Sequence, residues 1–288
     1  MLFDDEYIKT LEYLAVLAKR VFAKRRNLRE RMKKLGGGQE FADHRHYSPG
    51  DDIRYLDWNL YGRLGKLLLR VFEEEEDVTV TFLLDCSASM GIEGKFDSAR
   101  RLAAALAYVA LSFLDAVSVQ PFSDSPKMPL SPKKGKGVIF GILRYLEELQ
   151  CGGGTDPLAA CRKVALPTQR RGLAVLISDL CEPDAALDAM RFLRHHRFDA
   201  FALHVFARSE AEPQTLGDLR IRNVESSEAL SAAADAAALD AYAKAFREHA
   251  RALESACINM GAYYVGAPSD APFAEIVREI LEKGILAA

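Results

Sequence analysis

No apolar run in this sequence is long enough to cross a bilayer, which takes roughly 20 residues. The most apolar stretch, Leu102 to Leu114, stops at Asp115 and reads as a buried helix. The opening Met-Leu-Phe-Asp-Asp-Glu is acidic, where a secretory signal begins with basic residues. Its five cysteines, at 86, 151, 161, 181 and 257, form no CxxC pair, and their odd number argues against a disulfide framework. A reducing cytoplasm is therefore the expected home. The net charge is only −3, so no global field draws the chain to nucleic acid or an anionic surface. There is no internal repeat, no GxxxxGKS phosphate cradle, and no low-complexity tract beyond the Ala-rich 232–238.

What is present is an ordinary globular balance, 49% apolar and 27% charged, over 288 residues, enough for a large core. Charge is unevenly placed: residues 19–34 hold nine Lys/Arg and one acid, Glu30, while 73–77 are five consecutive acids. Both read as solvated faces, with nucleic-acid or partner binding as the alternative for the basic stretch. Residues 5–34 carry apolar positions near the 3.6 period and predict a helix, ended by Gly36-Gly37-Gly38. A polar segment follows, 44–63, dense in Arg, Asp and aromatic residues. Pro49-Gly50 marks a turn there, and Arg45, Arg54, Asp51, Asp52 and Asp57 are expected to pair, pinning the segment to the following domain with Trp58 as an apolar anchor. A second docking surface is the other reading of this segment.

From about Leu67 the pattern changes. Val78-Thr-Val-Thr-Phe-Leu-Leu84 is a β-branched run ending at Asp85, and Gly172-Leu-Ala-Val-Leu-Ile-Ser178 is another ending at Asp179. Between and after them, helical segments (96–114, 138–149, 157–165, 185–195, 234–260, 271–283) alternate with extended ones (116–122, 200–206, 263–265). The prolines in 126–132 confine that segment to a sheet edge. Such alternation predicts a Rossmann-like α/β fold, a mostly parallel sheet flanked by helices, over 77–288, preceded by an extension over 1–76.

In an open parallel sheet ligands bind beyond the carboxyl ends of the strands. The loops there carry Asp85-Cys-Ser87-Ala-Ser89, Gly152-Gly-Gly-Thr155 and Asp179. Two carboxylates and three hydroxyls are oxygen donors, the choice of hard cations such as Mg²⁺, Mn²⁺ or Ca²⁺. Ser and Thr near a helix start often serve as caps. At 155, however, Pro157 suits the first helical position, which leaves Asp156 as the cap. Cys86, Cys151 and Cys181 flank these loops and read as packing residues.

The set Asp85-x-Ser87-x-Ser89, Thr155, Asp179 resembles the metal-ion-dependent adhesion site of von Willebrand factor A domains. The segment Arg45-x-Tyr47-x-Pro49-Gly50-Asp51-Asp52-x-Arg54-x-x-Asp57-Trp58, with a C-terminal pattern from Leu219-Arg-Ile-Arg-Asn-Val-Glu through Tyr263-Tyr264, resembles the bacterial "domain of unknown function 58" family. The resemblance implies a von Willebrand factor A-like sheet of order 3-2-1-4-5 with a short antiparallel edge. It implies Mg²⁺ at those five residues, an Asp or Glu of a partner completing the coordination, and association with MoxR-type AAA+ ATPases in a chaperone or assembly role. No enzymatic activity is expected. Haloacid-dehalogenase-type phosphatases share the strand-terminal Asp and Mg²⁺ but place a second acid two residues on, where this sequence has Ser87. No Lys or His is evident beside the loops to activate a nucleophile.

Overall fold

The computed structural model describes residues 2–29, 40–49, 51–73, 78–113, 115–125, 127–167, 172–222, 224 and 229–287. The chain forms two compact units: residues 1–22 together with 78–288, and residues 23–77.

The first helix, α1 (Asp5–Arg29), begins where Asp4 accepts the Tyr7 amide at 2.8 Å. Its first five turns belong to the α/β unit. Tyr7, Leu11, Leu14 and Ala18 lie on one face and are buried with the main apolar cluster. The Tyr7 ring sits 4.6 Å from Phe273, its hydroxyl donates to the Arg101 carbonyl at 2.5 Å, and Phe22 meets Phe113 at 5.0 Å. This corrects the expectation of a 1–76 extension. The 3.6-residue apolar stripe on 7–18 needs a partner, and the α/β unit supplies it. The basic stretch from residue 23 onward, the triple glycine at 36–38 and the acids at 74–77 lie wholly or in their side chains outside the described residues.

The second unit is a ribbon closed by one carboxylate. β1 (Glu40–His46) pairs antiparallel with β2 (Leu68–Glu73), joined through a single 3₁₀ turn and the short helix α2 (Trp58–Leu64). Asp57 caps α2, accepting the amides of Asn59 and Leu60 at 3.0 Å each, while its other oxygen lies 3.0 Å from both Arg70 Nε and His44 Nε2. Hydrogen bonds from Arg70, then His44 and the Leu60 amide, hold the Asp57 carboxyl well below the usual carboxylate range. Arg45 grips Asp51 with two bonds of 2.6 and 2.7 Å, and Arg54 pairs with Asp52. The expected pairing among these residues is observed, except that Asp57 takes His44 and Arg70. Trp58 is 62% exposed, its ring edge-on to Tyr61, so it is not a buried anchor.

In the α/β unit the chain runs β3 (Thr79–Asp85), α3 (Lys95–Ser112), β4 (Ala116–Phe122), β5 (Leu130–Lys133), α4 (Ile139–Glu148), α5 (Pro157–Ala165), β6 (Gly172–Ser178), α6 (Pro183–His195), β7 (Asp199–Phe206) and α7 (Arg208–Ala211). It continues through β8 (Gly217–Arg222), β9 (Ala229–Ala234), α8 (Ala236–Asn259), β10 (Tyr263–Pro268) and α9 (Phe273–Lys283). β8 and β9 form a separate antiparallel hairpin. The other six strands make one sheet of order β10-β7-β6-β3-β4-β5, parallel except for β5. Counted within the sheet this is 3-2-1-4-5-6, the expected order with β10 added beyond it. β3, β4 and β6 are enclosed on both faces, so burial runs along nearly every residue instead of alternating, and the polar Thr81 and Ser118 there pair with one another. One apolar layer holds α1, α3, α4 and α9, and the other holds α5, α6 and part of α8.

Two outcomes follow from this packing. Leu14→Ala should lower the urea-unfolding stability of the α/β unit by about 2–4 kcal/mol, since Leu14 is 1% exposed in its core. An unchanged midpoint would place α1 elsewhere. In the second unit, the depressed Asp57 carboxyl contributes stability that is present above its unfolded value, about 4, and lost as pH falls below it. The hydrogen-exchange protection factors of the 57–64 amides should therefore fall as pH drops below about 4 in the wild type, and at neutral pH in Asp57→Ala by roughly fivefold, as for a lost helix cap.

Candidate functional site: oxygen donors at the carboxyl edge

The parallel strands β3 and β6 are adjacent and in register, so Asp85 and Asp179, each at or just past a strand end, emerge side by side. Asp85 is completely enclosed. One of its oxygens accepts the Ser87 amide at 2.9 Å. The other accepts the Ser178 hydroxyl at 2.7 Å and the Thr155 hydroxyl at 3.2 Å. Ser87 and Ser89 hydroxyls lie 3.0 Å apart. Of the five residues singled out in the sequence, Asp85, Ser87, Ser89 and Thr155 thus form one connected hydrogen-bonded chain, with Asp179 held by Lys95 beside it.

Those loops are stapled by backbone bonds. Cys86 N–H donates to the Phe122 carbonyl at 2.8 Å, Gly152 N–H to Cys86 at 2.9 Å, Ala88 N–H to Gly153 at 2.8 Å, and Asp124 N–H to Gly154 at 2.9 Å. Asp156 caps α5 by accepting the Ala159 amide at 2.9 Å, with Pro157 at the first helical position, so Thr155 is free to face Asp85. Gly153 is required twice over. Its φ of +81° is left-handed, and a Cβ there would fall 1.8 Å from Asp124 Oδ1. Leu180, buried beside Asp179, also adopts a positive φ of 48°, a strained geometry for a branched side chain.

Electrostatically the two carboxylates differ. Burial raises the Asp85 carboxyl to about 6 against opposing hydrogen bonds from Ser178 and Ser87, and the nearby Asp179 charge adds to the rise. Among the described residues its hydrogen-bond donors are all neutral. For Asp179 burial also pushes upward, but the charge and hydrogen bond of Lys95, with further bonds from Ser89 and Cys181, bring the net shift downward. Lys95 itself is enclosed, its ammonium 2.8 Å from Asp179 Oδ2 and 2.5 Å from Glu210 Oε1. Burial acts to lower the Lys95 value, and its two carboxylate partners more than reverse that. His204, opposite Ser178 on β7, is 2% exposed and held neutral near 4 by burial, its Nδ1 2.7 Å from the Tyr264 hydroxyl.

The expectation that no Lys or His adjoins the loops is therefore corrected. One signal for Lys95 lay in the sequence. It is the first residue of α3, after the left-handed Gly94, where a cation opposes the helix dipole and needs acidic partners. His204 carried no such signal. Of the nearby thiols, Cys86 is buried and Cys151 half-buried, each pushed up by burial to about 12, away from thiolate chemistry, whereas Cys181 is exposed and does not pack as expected.

Chemically, the donor set suits a hard divalent ion: Asp85, Ser87, Ser89, Thr155 and Asp179 all present oxygen, and one enclosed carboxylate has no positive partner among the described residues. No group of three or more His, Cys, Asp or Glu side chains placed for a metal occurs among the described residues, so any ion here would lean on hydroxyls and water. Gly153→Ala should displace the Thr155 loop, lowering the thermal midpoint. A Gly153→Ala, Asp124→Ala double variant should regain part of the loss, because the steric partner is removed. A double variant as unstable as the single one would show that the left-handed backbone alone sets the cost.

The chain is 25% identical over 259 residues to an uncharacterized protein of Mycobacterium tuberculosis, an alignment covering 86% of this chain and 80% of that protein. Among solved structures it matches an aerotolerance-related membrane protein from Bacteroides fragilis at 16% identity and a TM-score of 0.46, covering 73% of this chain and 100% of that one. It also matches the conserved hypothetical protein BatB from Bacteroides thetaiotaomicron at 15% identity and a TM-score of 0.45, covering 73% and 98%. The expected cytoplasmic home is withdrawn; no helix among the described residues is long and apolar enough to cross a bilayer. The family described as protein of unknown function DUF58 matches residues 43–252, most of the length, and the chain belongs to that family.

Proposed function

We propose that this chain is a metal-dependent binding module of the von Willebrand factor A type, which grips an Asp or Glu of a protein partner through Mg²⁺, with Mn²⁺ or Ca²⁺ as alternatives. The partner proposed from the family likeness is a MoxR-type AAA+ ATPase, in a chaperone or assembly role. One observation carries the reading: a wholly enclosed carboxylate, Asp85, held by neutral donors in a chain of four oxygen-bearing residues at the carboxyl edge, with the Asp179 carboxylate beside it. Leaving an ionised carboxylate in such a place is costly unless a cation shares it.

In this reading Ser87, Ser89 and Thr155 supply neutral oxygens and fix the geometry, while Asp85 and Asp179 supply charge directly or through water. A divalent ion held there would leave a coordination position for the partner's carboxylate. Catalysis is not part of the proposal. Ser87 stands where a phosphatase of the haloacid-dehalogenase type needs an acid, and Lys95, the nearest base, is committed to two carboxylates.

Thermal unfolding with and without Mg²⁺ tests this. At about a hundred times its dissociation constant the ion should add roughly 2.7 kcal/mol, a rise of several degrees in the wild type. Asp85→Asn keeps the hydrogen bonds, because the facing hydroxyls can accept as well as donate, but removes the enclosed charge. It should be more stable than wild type without metal, by on the order of 2 kcal/mol, and unresponsive to Mg²⁺. Equal responses to Mg²⁺ in the two proteins, or none in either, would overturn the proposal.

A further inference from the structure

Lys95 is the feature that a simple oxygen cage does not explain. A lysine at the first position of a helix is electrostatically misplaced, yet this one is enclosed and points its ammonium between Asp179 on the β6 loop and Glu210 on α7. The turn that aims it inward consists of two consecutive left-handed residues, Glu93 (φ 47°) and Gly94 (φ 71°). That turn is fastened twice at Glu93: its carboxylate receives the Ser209 hydroxyl, and its carbonyl receives Ser269 Oγ at 3.1 Å. Glu210 is oriented by accepting the Ala207 amide at 2.8 Å. The ammonium is thus held in place from its own backbone and from both of its partners.

We propose that Lys95 is a tethered counter-cation that competes with the divalent ion for Asp179, so that metal loading is tuned by how the ammonium is shared between Asp179 and Glu210. The inference rests on the metal reading above and adds its regulation. Near neutral pH, Asp85, Asp179 and Glu210 with Lys95 carry a formal charge of −2, which one divalent ion cancels. Remove the ammonium and the cluster becomes more negative. Remove the Glu210 charge instead, and the ammonium is left to Asp179 alone. Metal affinity then moves in opposite directions for the two changes, because like charges in an enclosed site repel strongly. Since Glu210 sits on α7, a partner that shifts α7 would change metal affinity without touching a ligand.

The test is calorimetric titration of the full chain with Mg²⁺ alone, on wild type, Lys95→Met and Glu210→Gln, each checked for a folded far-ultraviolet spectrum. Lys95→Met should bind Mg²⁺ more tightly by roughly tenfold or more, and Glu210→Gln more weakly by a similar factor. If Lys95→Met does not fold, the Glu210→Gln direction decides alone, since affinity equal to or above wild type contradicts the competition. Lys95→Met binding at or below wild-type affinity would show that Lys95 positions Asp179 for the ion, which overturns the inference while leaving the metal reading standing. No binding by any of the three would remove both. Binding by Lys95→Met where wild type shows none would be the strongest support.

Discussion

Asp85 carries a formal charge to the end of a strand that is covered on both faces, and the arrangement around it answers the difficulty of placing a carboxylate there. Water is excluded, so the carboxyl must be satisfied by protein groups alone. Three of its roughly four oxygen lone-pair directions are met, by the Ser87 amide and by two hydroxyls, one from the end of β6 and one from the Thr155 loop. That requirement dictates that the β3, β4 and 151–156 loops close on one another, which their backbone bonds accomplish. It also explains Gly153: the loop carrying Thr155 comes so near Asp124 that no side chain fits between them. Even so the carboxyl remains shifted upward, a deficit that a positive charge would remove.

The α/β unit was largely legible because its strands are enclosed. A strand with two apolar faces reads as a continuous apolar run, and the residue after it marks the carboxyl edge. Hence Asp85 and Asp179 could be placed side by side from two runs alone. Thr155 was legible through elimination, since Asp156 and Pro157 account for the helix start. Lys95 and Glu210 were not legible as a pair. They are separated by seven strands and helices, and nothing local distinguishes Glu210 from the chain's other acids. The β8–β9 hairpin was missed because β9, Ala229–Ala234, is alanine-rich and has helical propensity, while its pairing with β8 overrides that preference.

The ribbon of the second unit was misread for a different reason. β1 is mostly polar and β2, though apolar, is only six residues long, so no period announces the pair, and what ties them together is a polar hub. Asp57 does three things at once: it caps α2, and it accepts from Arg70 and lies against His44 on the two facing strands. The arginines and aspartates of the 44–63 segment were recognisable as partners, but which pairs with which depends on strand register, and that is a long-range property. Trp58 illustrates the same point in reverse: its hydrophobicity suggested burial, while its position at the start of α2, one residue past the cap, faces it outward.

β5 bounds one side of the sheet with four residues, Leu130-Ser-Pro-Lys133, and pairs with β4 at only two registered positions. A proline cannot donate a ladder hydrogen bond, and a lysine at a strand end resists stacking against another chain. That flank of the molecule is therefore a poor template for strand addition. Growth of the sheet into fibres or strand-exchanged dimers is disfavoured on this side. Association through the loops at the carboxyl edge needs no such pairing and remains open.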